Sequence, residues 1–240
     1  MQIIHGAAPK LNRPSFSVDG ELAPKLNQFE ISKLMNRSNF TLFLGKPGSG
    51  KSTQIISMLQ TKSLFAAVFH DVFVVMGPNS RASVKGNFFE QIPNETVFDE
   101  LDVDTLNQIY ESVKQNAEEG YTSLLMLDDV QRNFKQKEVL KLLLHMANNR
   151  RHLRLSIWTA NQNFKSIPKP IRQVLTNAFI WKCSKSESEN IFEELVETHR
   201  DKYDEICRMV YTDPHSFMFI DLPSSRIFAG WSEILIPESK

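Results

Sequence analysis

The chain reads as an α/β protein built on a mainly parallel sheet with helices on both faces. Three observations predict this. Short apolar runs rich in β-branched and aromatic residues alternate with stretches of helical periodicity along most of the 240 residues. One such run, Leu42-Phe43-Leu44, passes into a glycine-rich loop that opens a helix. Another, Leu124-Leu125-Met126-Leu127, ends in the adjacent carboxylates Asp128 and Asp129. Both arrangements belong at the C-terminal edge of parallel strands, where α/β proteins bind their ligands.

The bulk properties agree with one large domain. The hydrophobic content of 41% is enough for a buried sheet, and the formal net charge is zero. Total charge therefore predicts no partner, and nucleic-acid binding has to come from a local patch. Cys183 and Cys207 are too few for a disulfide framework, and no C-x-x-C spacing suggests zinc. The start, MQIIHGAAPK, lacks the basic-then-apolar order of a signal peptide. No apolar run approaches the roughly 20 residues of a membrane span. These features point to a reduced, intracellular, soluble protein. Residues 1–40 are expected to form an N-terminal segment packed on the core, and residues 41–240 the main domain.

Taken in order, the segment before residue 40 mixes Pro9, Pro14, Gly20 and Pro24 with short apolar pieces, with a helical pattern over 28–35. A helix follows the glycine-rich loop, from Ser52 to Leu59. Residues 69–76 form a continuous β-branched and aromatic run stopped by Gly77-Pro78, a strand buried on both faces. Residues 79–107 are polar and acidic, an excursion over the sheet edge. Leu106, Ile109, Tyr110 and Val113 mark a helix over 106–118. Residues 123–129 are a strand ending in the two carboxylates, and 137–148 a helix with a Val139, Leu140, Leu143, Leu144 stripe. Strands over 153–160 and 178–182 flank a proline-rich loop, 166–172, that leads into a short helix. Residues 188–209 read as an acidic amphipathic helix or pair, and 217–221 with 226–231 as a closing hairpin.

The glycine-rich loop carries the most specific chemistry. Gly45-Lys46-Pro47-Gly48-Ser49-Gly50-Lys51-Ser52 fills G-x-x-x-x-G-K-[ST] at every fixed position, in the strand–loop–helix setting the motif requires, with Thr53 next. Its amides turn inward to cradle phosphates, and the helix N-terminus adds its dipole. Lys51 reaches the β- and γ-phosphates, and Ser52 offers its hydroxyl to Mg²⁺. The ligand implied is ATP or another nucleoside triphosphate.

The extra strand between this loop and Asp128 suits the RecA/ASCE-like ATPase branch of P-loop NTPases. Neither N-K-x-D nor L-S-G-G-Q occurs, against a GTPase or a transporter ATPase, and no arginine-studded lid suggests a nucleotide kinase. Hydrolysis then needs four contributions. Asp128 holds Mg²⁺, directly or through water. Asp129 activates the attacking water, although Asp is a methylene shorter than the Glu common in motors. Gln162, beyond the tip of strand 153–160, senses the γ-phosphate, with Asn161 the alternative. An arginine from a neighbouring subunit offsets charge on the transferring group: Arg151 first, Arg172 second, with Arg150 also in reach of that role. Residues 131–185 hold twelve Lys or Arg against one acid, Glu138, a net +11 inside a neutral chain. Such separation suits head-to-tail rings or a basic face turned toward phosphate backbones.

The ordered set GKPGSGKST, LLMLDDV, NRRHLRLSIWTANQ and SIPKPIRQVLTNAFIW resembles the genome-packaging ATPases of large double-stranded DNA viruses, the pox-type members of the FtsK–HerA superfamily. The likeness runs over residues 40–185. It implies a homo-oligomeric ring motor that hydrolyses ATP with Mg²⁺ to drive double-stranded DNA into a capsid. Its expected partners are capsid-vertex or portal proteins, and its places are the assembly site in the host cytoplasm and the virion. By matching position, Lys51 and Ser52 bind nucleotide, Asp128 the metal, Asp129 activates water, Gln162 is the sensor and Arg151 or Arg172 the finger. Two readings stand beside it: a cellular HerA/FtsK-like translocating or repair ATPase, and a slow nucleotide-regulated binding module.

Overall fold

The computed structural model of the protein describes residues 2–4, 34–77, 92–196 and 200–235. In chain order the elements are β1 (Gln2–Ile4), β2 (Phe40–Leu44), α1 (Lys51–Gln60), β3 (Asp71–Met76), β4 (Val97–Phe98), α2 (Val103–Glu118) and β5 (Ser123–Asp128). Then follow α3 (Lys137–Asn149), β6 (Leu155–Asn161), α4 (Lys169–Gln173), β7 (Asn177–Trp181), α5 (Lys185–Ile191), α6 (Arg200–Val210), β8 (Phe217–Asp221), β9 (Arg226–Ala229) and β10 (Ser232–Leu235).

The described strands join in one sheet, in the order β1-β10-β9-β8-β7-β2-β6-β5-β3-β4. From β7 to β4 neighbouring strands are parallel, and from β7 outward to β1 they are antiparallel. The parallel strands carry unbroken burial, as in β2 and β6, because helices cover both of their faces. Their pattern is therefore a continuous apolar run and not an alternation.

The two faces differ in chemistry. One packs α1 through Ile55, Met58 and Leu59 onto Phe43, Trp158, Phe179 and Trp181. Phe43 stacks on Phe179 at 4.9 Å between ring centroids. The other face is mostly aliphatic and receives α2 by Leu106, Ile109 and Val113, α3 by Val139, Leu143 and Met146, and α6 by Ile206 and Val210. The helix α2 starts where Asp102 accepts a hydrogen bond from the Thr105 amide at 2.7 Å, an N-cap that satisfies one orphan donor.

The sheet is wider than the sequence suggests. The expected closing hairpin is part of an antiparallel extension, because β10 pairs with β9 and then with β1, Gln2 facing Leu235. Within the acidic stretch before α2, the two-residue β4 pairs with β3. The helix expected over 28–35 falls outside the described residues apart from Leu34 and Met35, as does most of the 1–40 segment. The acidic helical region divides into α5, which continues into a wide turn over Phe192–Val196, and α6.

Candidate active site

The register sets the site. Leu44 of β2 lies opposite Asn161 of β6, and Asp128 of β5 opposite Ala160, so β6 stands between the phosphate-loop strand and the carboxylate strand. All three strands end on the same edge. The loop after β2 is pinned there because the Gly45 amide donates to the Asn161 carbonyl at 3.1 Å.

Two glycines of the loop have physical reasons. Gly50, the residue before α1, has φ of 104°, where a side chain would be strained. Gly45 is required by close approach, since a Cβ there would lie 2.7 Å from Ser49 Oγ and 2.8 Å from Trp181 Cβ. Lys51, the first residue of α1, turns back so that Nζ donates to the carbonyls of Gly45 at 2.6 Å and Lys46 at 3.1 Å. Burial lowers its pKa, and the negative charges of Asp128 and Asp129 act in the opposite direction. The lysine and both carboxylates thus share one electrostatic neighbourhood although they are far apart in sequence.

Asp129 has φ of 56°, a left-handed conformation in which Asp is several-fold enriched over most side chains. Its amide donates to the Ala160 carbonyl at 3.0 Å, closing β5 against β6. This geometry gives a reason for Asp at a position where motors commonly carry Glu, because the short acid tolerates the turn. Its Oδ2 accepts from Gln162 Nε2 at 3.0 Å and its Oδ1 from Gln131 Nε2 at 2.8 Å. Gln162 and Asp129 therefore meet at this edge. Gln131 is marked by no motif; its only sequence signal is its place two residues after Asp129.

Asn161 is fully buried, with Nδ2 on Thr159 Oγ1 at 2.8 Å, and its Oδ1 has no partner among the described residues. His215, which no motif marks either, closes the far side of the loop, its Nδ1 lying 3.2 Å from the Ser49 carbonyl. That contact requires the proton on Nδ1, because a carbonyl can only accept.

The arginines separate. Arg150 donates from Nε to the Ser38 carbonyl at 2.9 Å and from Nη1 to Ala147 at 2.8 Å, a structural use. Arg172 lies against Glu194 Oε2 at 2.8 Å from Nε, with its guanidinium 4.8 Å over the Phe164 ring. Arg151 is exposed, ahead of β6 and so at the opposite edge of the sheet from Asp129. Within one copy of the chain it does not join the site.

Among the described residues no three His, Cys, Asp or Glu cluster as a metal site. Mg²⁺ needs fewer: it keeps several waters and takes one or two protein ligands beside substrate phosphates. Ser52 at the start of α1 and the half-buried Asp128 at the tip of β5 fit that small demand. No helix among the described residues is long and apolar enough to cross a membrane.

The family model described as Poxvirus A32 protein matches residues 26–212. No curated protein matches the chain. Among solved structures, the fold is similar to B204, the DNA-packaging ATPase from Sulfolobus turreted icosahedral virus, at a TM-score of 0.62 and 15% identity over 85% of this chain and 100% of that one. It is similar to the genome packaging NTPase B204 from Sulfolobus turreted icosahedral virus 2 in complex with AMPPCP, at 0.58 and 17% over 84% and 100%. The cytoplasmic domain of the type VII secretion ATPase EccC from Thermomonospora curvata matches at 0.54 and 15%, over 76% of this chain and 24% of that one. At such identities the likeness speaks for the fold, a P-loop ATPase fold with a mostly parallel sheet.

Proposed function

The chain belongs to the Poxvirus A32 protein family, and from that premise we propose that it is an ATP-hydrolysing motor that translocates double-stranded DNA and packages a viral genome into a capsid. The observation that carries the reading is the convergence at one sheet edge of Lys51 with Asp128 and Asp129, the latter bonded to Gln162.

The loop amides from Gly45 to Lys51 and the Lys51 ammonium grip the triphosphate. Ser52 and Asp128 would hold Mg²⁺, which would supply positive charge against the charge developing on the phosphates. Asp129 takes the proton from the attacking water, whose oxygen forms a bond to the γ-phosphorus. The bond from that phosphorus to the bridging oxygen breaks, and ADP leaves with the electron pair. Gln162, already on Asp129 Oδ2, orients the same water. Arg151 of one subunit serves the γ-phosphate of the next in a homo-oligomeric ring. Arg172 would have to leave Glu194 to act there, so it is the second choice. DNA contact is through the sugar–phosphate backbone, insensitive to sequence and weakened by salt. The motor works at the virus assembly site in the host cytoplasm, against a capsid vertex or portal.

The test is ATP turnover with and without duplex DNA at low salt, for wild type and Lys51→Ala. Expected are a rise with DNA and a loss on the order of 10²-fold or more in the variant, the scale for removing a phosphate-stabilising group. Turnover indifferent to DNA overturns translocation. In mixed rings, Arg151→Ala subunits should silence their neighbours, whereas strictly additive loss overturns the trans assignment.

A further inference from the structure

The loops after β5 and β6 share a sequence that neither motif explains. Gln131-Arg132-Asn133-Phe134-Lys135 follows one strand, and Gln162-Asn163-Phe164-Lys165 follows the other. Each Asn-Phe-Lys lies at a single 3-10 turn, Asn133–Lys135 and Phe164–Ser166. In each, the phenylalanine is buried in the aliphatic core and the lysine is exposed. In each, the leading glutamine donates to Asp129, Gln131 to Oδ1 at 2.8 Å and Gln162 to Oδ2 at 3.0 Å. Since β5 and β6 are parallel neighbours with Asp128 opposite Ala160, the turns leave the sheet side by side.

No acid among the described residues pairs with Arg132, Lys135 or Lys165. A cation on a rigid turn loses less conformational entropy on binding than one on a mobile loop. The first turn is closed by the Asn133 amide donating to the Val130 carbonyl at 2.9 Å and the Gln136 amide to the Asn133 carbonyl at 3.0 Å, and the second is tied down further. Asn163 Oδ1 accepts from the Lys165 amide at 2.9 Å, Glu187 Oε1 from the Phe164 amide at 2.5 Å, and Arg172 covers the Phe164 ring. Evenly built cations on adjacent turns match a ligand whose anions repeat, and backbone phosphates of duplex DNA repeat every few ångströms along each strand.

We infer that these twin turns are a DNA-backbone contact wired to the catalytic carboxylate. With both carboxylate oxygens engaged by amide donors, Asp129 has fewer lone pairs to accept a proton from water. Gln131 Oε1 is buried with no partner among the described residues, so the Gln131 side chain is held through its Nε2 bond to Asp129. A pull on Lys135 or Lys165 by DNA reaches Asp129 through three or four residues of anchored backbone and one glutamine. Gln131 is then a positioning residue that couples DNA contact to hydrolysis. The inference rests on the motor reading above.

The experiment compares wild type, the double variant Lys135→Glu/Lys165→Glu, Gln131→Ala, and Lys114→Glu, an exposed lysine on α2, as a charge control. Basal ATP turnover, KM for ATP, oligomeric state and the duplex concentration for half-maximal stimulation are measured at two salt concentrations. For the double variant, the half-maximal DNA concentration should rise at least about tenfold. Its salt slope should fall by about two, one for each phosphate left without its lysine. Basal turnover and KM should stay within about twofold, and Lys114→Glu should behave as wild type. Gln131→Ala should raise basal turnover and shrink the stimulation. An unchanged DNA response in the double variant overturns the inference and leaves the motor reading intact. A raised KM for ATP with a normal DNA response, or loss of the oligomer, also overturns it, assigning the lysines to nucleotide or to a subunit contact. A wild type that ignores DNA instead sinks the reading on which it rests.

Discussion

At the edge where the parallel strands begin, buried polar side chains close on one another; at the edge where they end, several do not. At the first edge Asn39 Oδ1 accepts from Thr41 Oγ1 at 2.7 Å and Trp158 Nε1 at 2.8 Å, while its Nδ2 donates to the Asn36 carbonyl at 2.7 Å. Thr176 Oγ1 accepts from the Phe40 amide at 2.9 Å, and Asn177 Nδ2 donates to Asp221 Oδ1 at 2.9 Å. At the second edge, Ser49 Oγ, Asn161 Oδ1 and Gln131 Oε1 are buried with no partner among the described residues. Satisfied networks hold register and contribute stability, whereas a buried polar group without a protein partner adds little to stability and is free to meet water or a ligand. Residues of the first edge are thus ones whose loss costs stability, and residues of the second ones whose loss changes the chemistry while the fold stands.

The sharpest test is Asp129→Asn, which keeps the turn and removes the proposed base. Turnover should fall on the order of 10²–10⁴-fold, with the melting temperature unmoved. Asn39→Leu should do the reverse. It leaves the Trp158 N–H and the Thr41 hydroxyl unpaired, about 2–4 kcal/mol of stability, so a melting curve should drop by roughly 5–15 °C while turnover at low temperature stays within about twofold. If the two effects were exchanged, the division between the edges would be wrong. Gly45→Ala should blur it, because its Cβ meets both Ser49 and Trp181. A loss of about 1–3 kcal/mol together with a higher KM for ATP is expected, read by denaturation and kinetics on one sample. Least affected should be Arg226→Ala, which stands at the first edge opposite Asp221 but in a partly exposed pair. Arg226 reaches Glu233 through two contacts of 2.6 Å, yet its side chain is 36% exposed. A change under about 1 kcal/mol and unaltered turnover would confirm that partial exposure screens the pair.

Much of the site is legible in the sequence because its signals are local. The phosphate loop needs glycines, a lysine and a hydroxyl at fixed spacing in one strand, loop and helix, and all of that is contiguous. The buried strands β2, β5 and β6 show as apolar runs for the same reason: both faces are covered, so no polar position interrupts them. The short strands β1, β4 and β10 are not legible. At two to four residues they carry no period, and β1 is stabilised by a partner at the other end of the chain. Arg172 reads as a finger because sequence shows charge without its counter-ion; the fold supplies Glu194.

By itself, then, the sequence determined the fold class, the glycine-rich loop between strand and helix and which strands end in acid, since these depend on side-chain period and backbone steric preference over a dozen residues. Only the tertiary structure decided that β6 stands between the loop and the acids, and that Asp129 sits in a left-handed turn. It likewise brought two glutamines from neighbouring turns onto that one carboxylate. Hydrogen bonds and ion pairs act over about 3 Å of space regardless of chain separation, so their pairing is settled when the strands take register and not before.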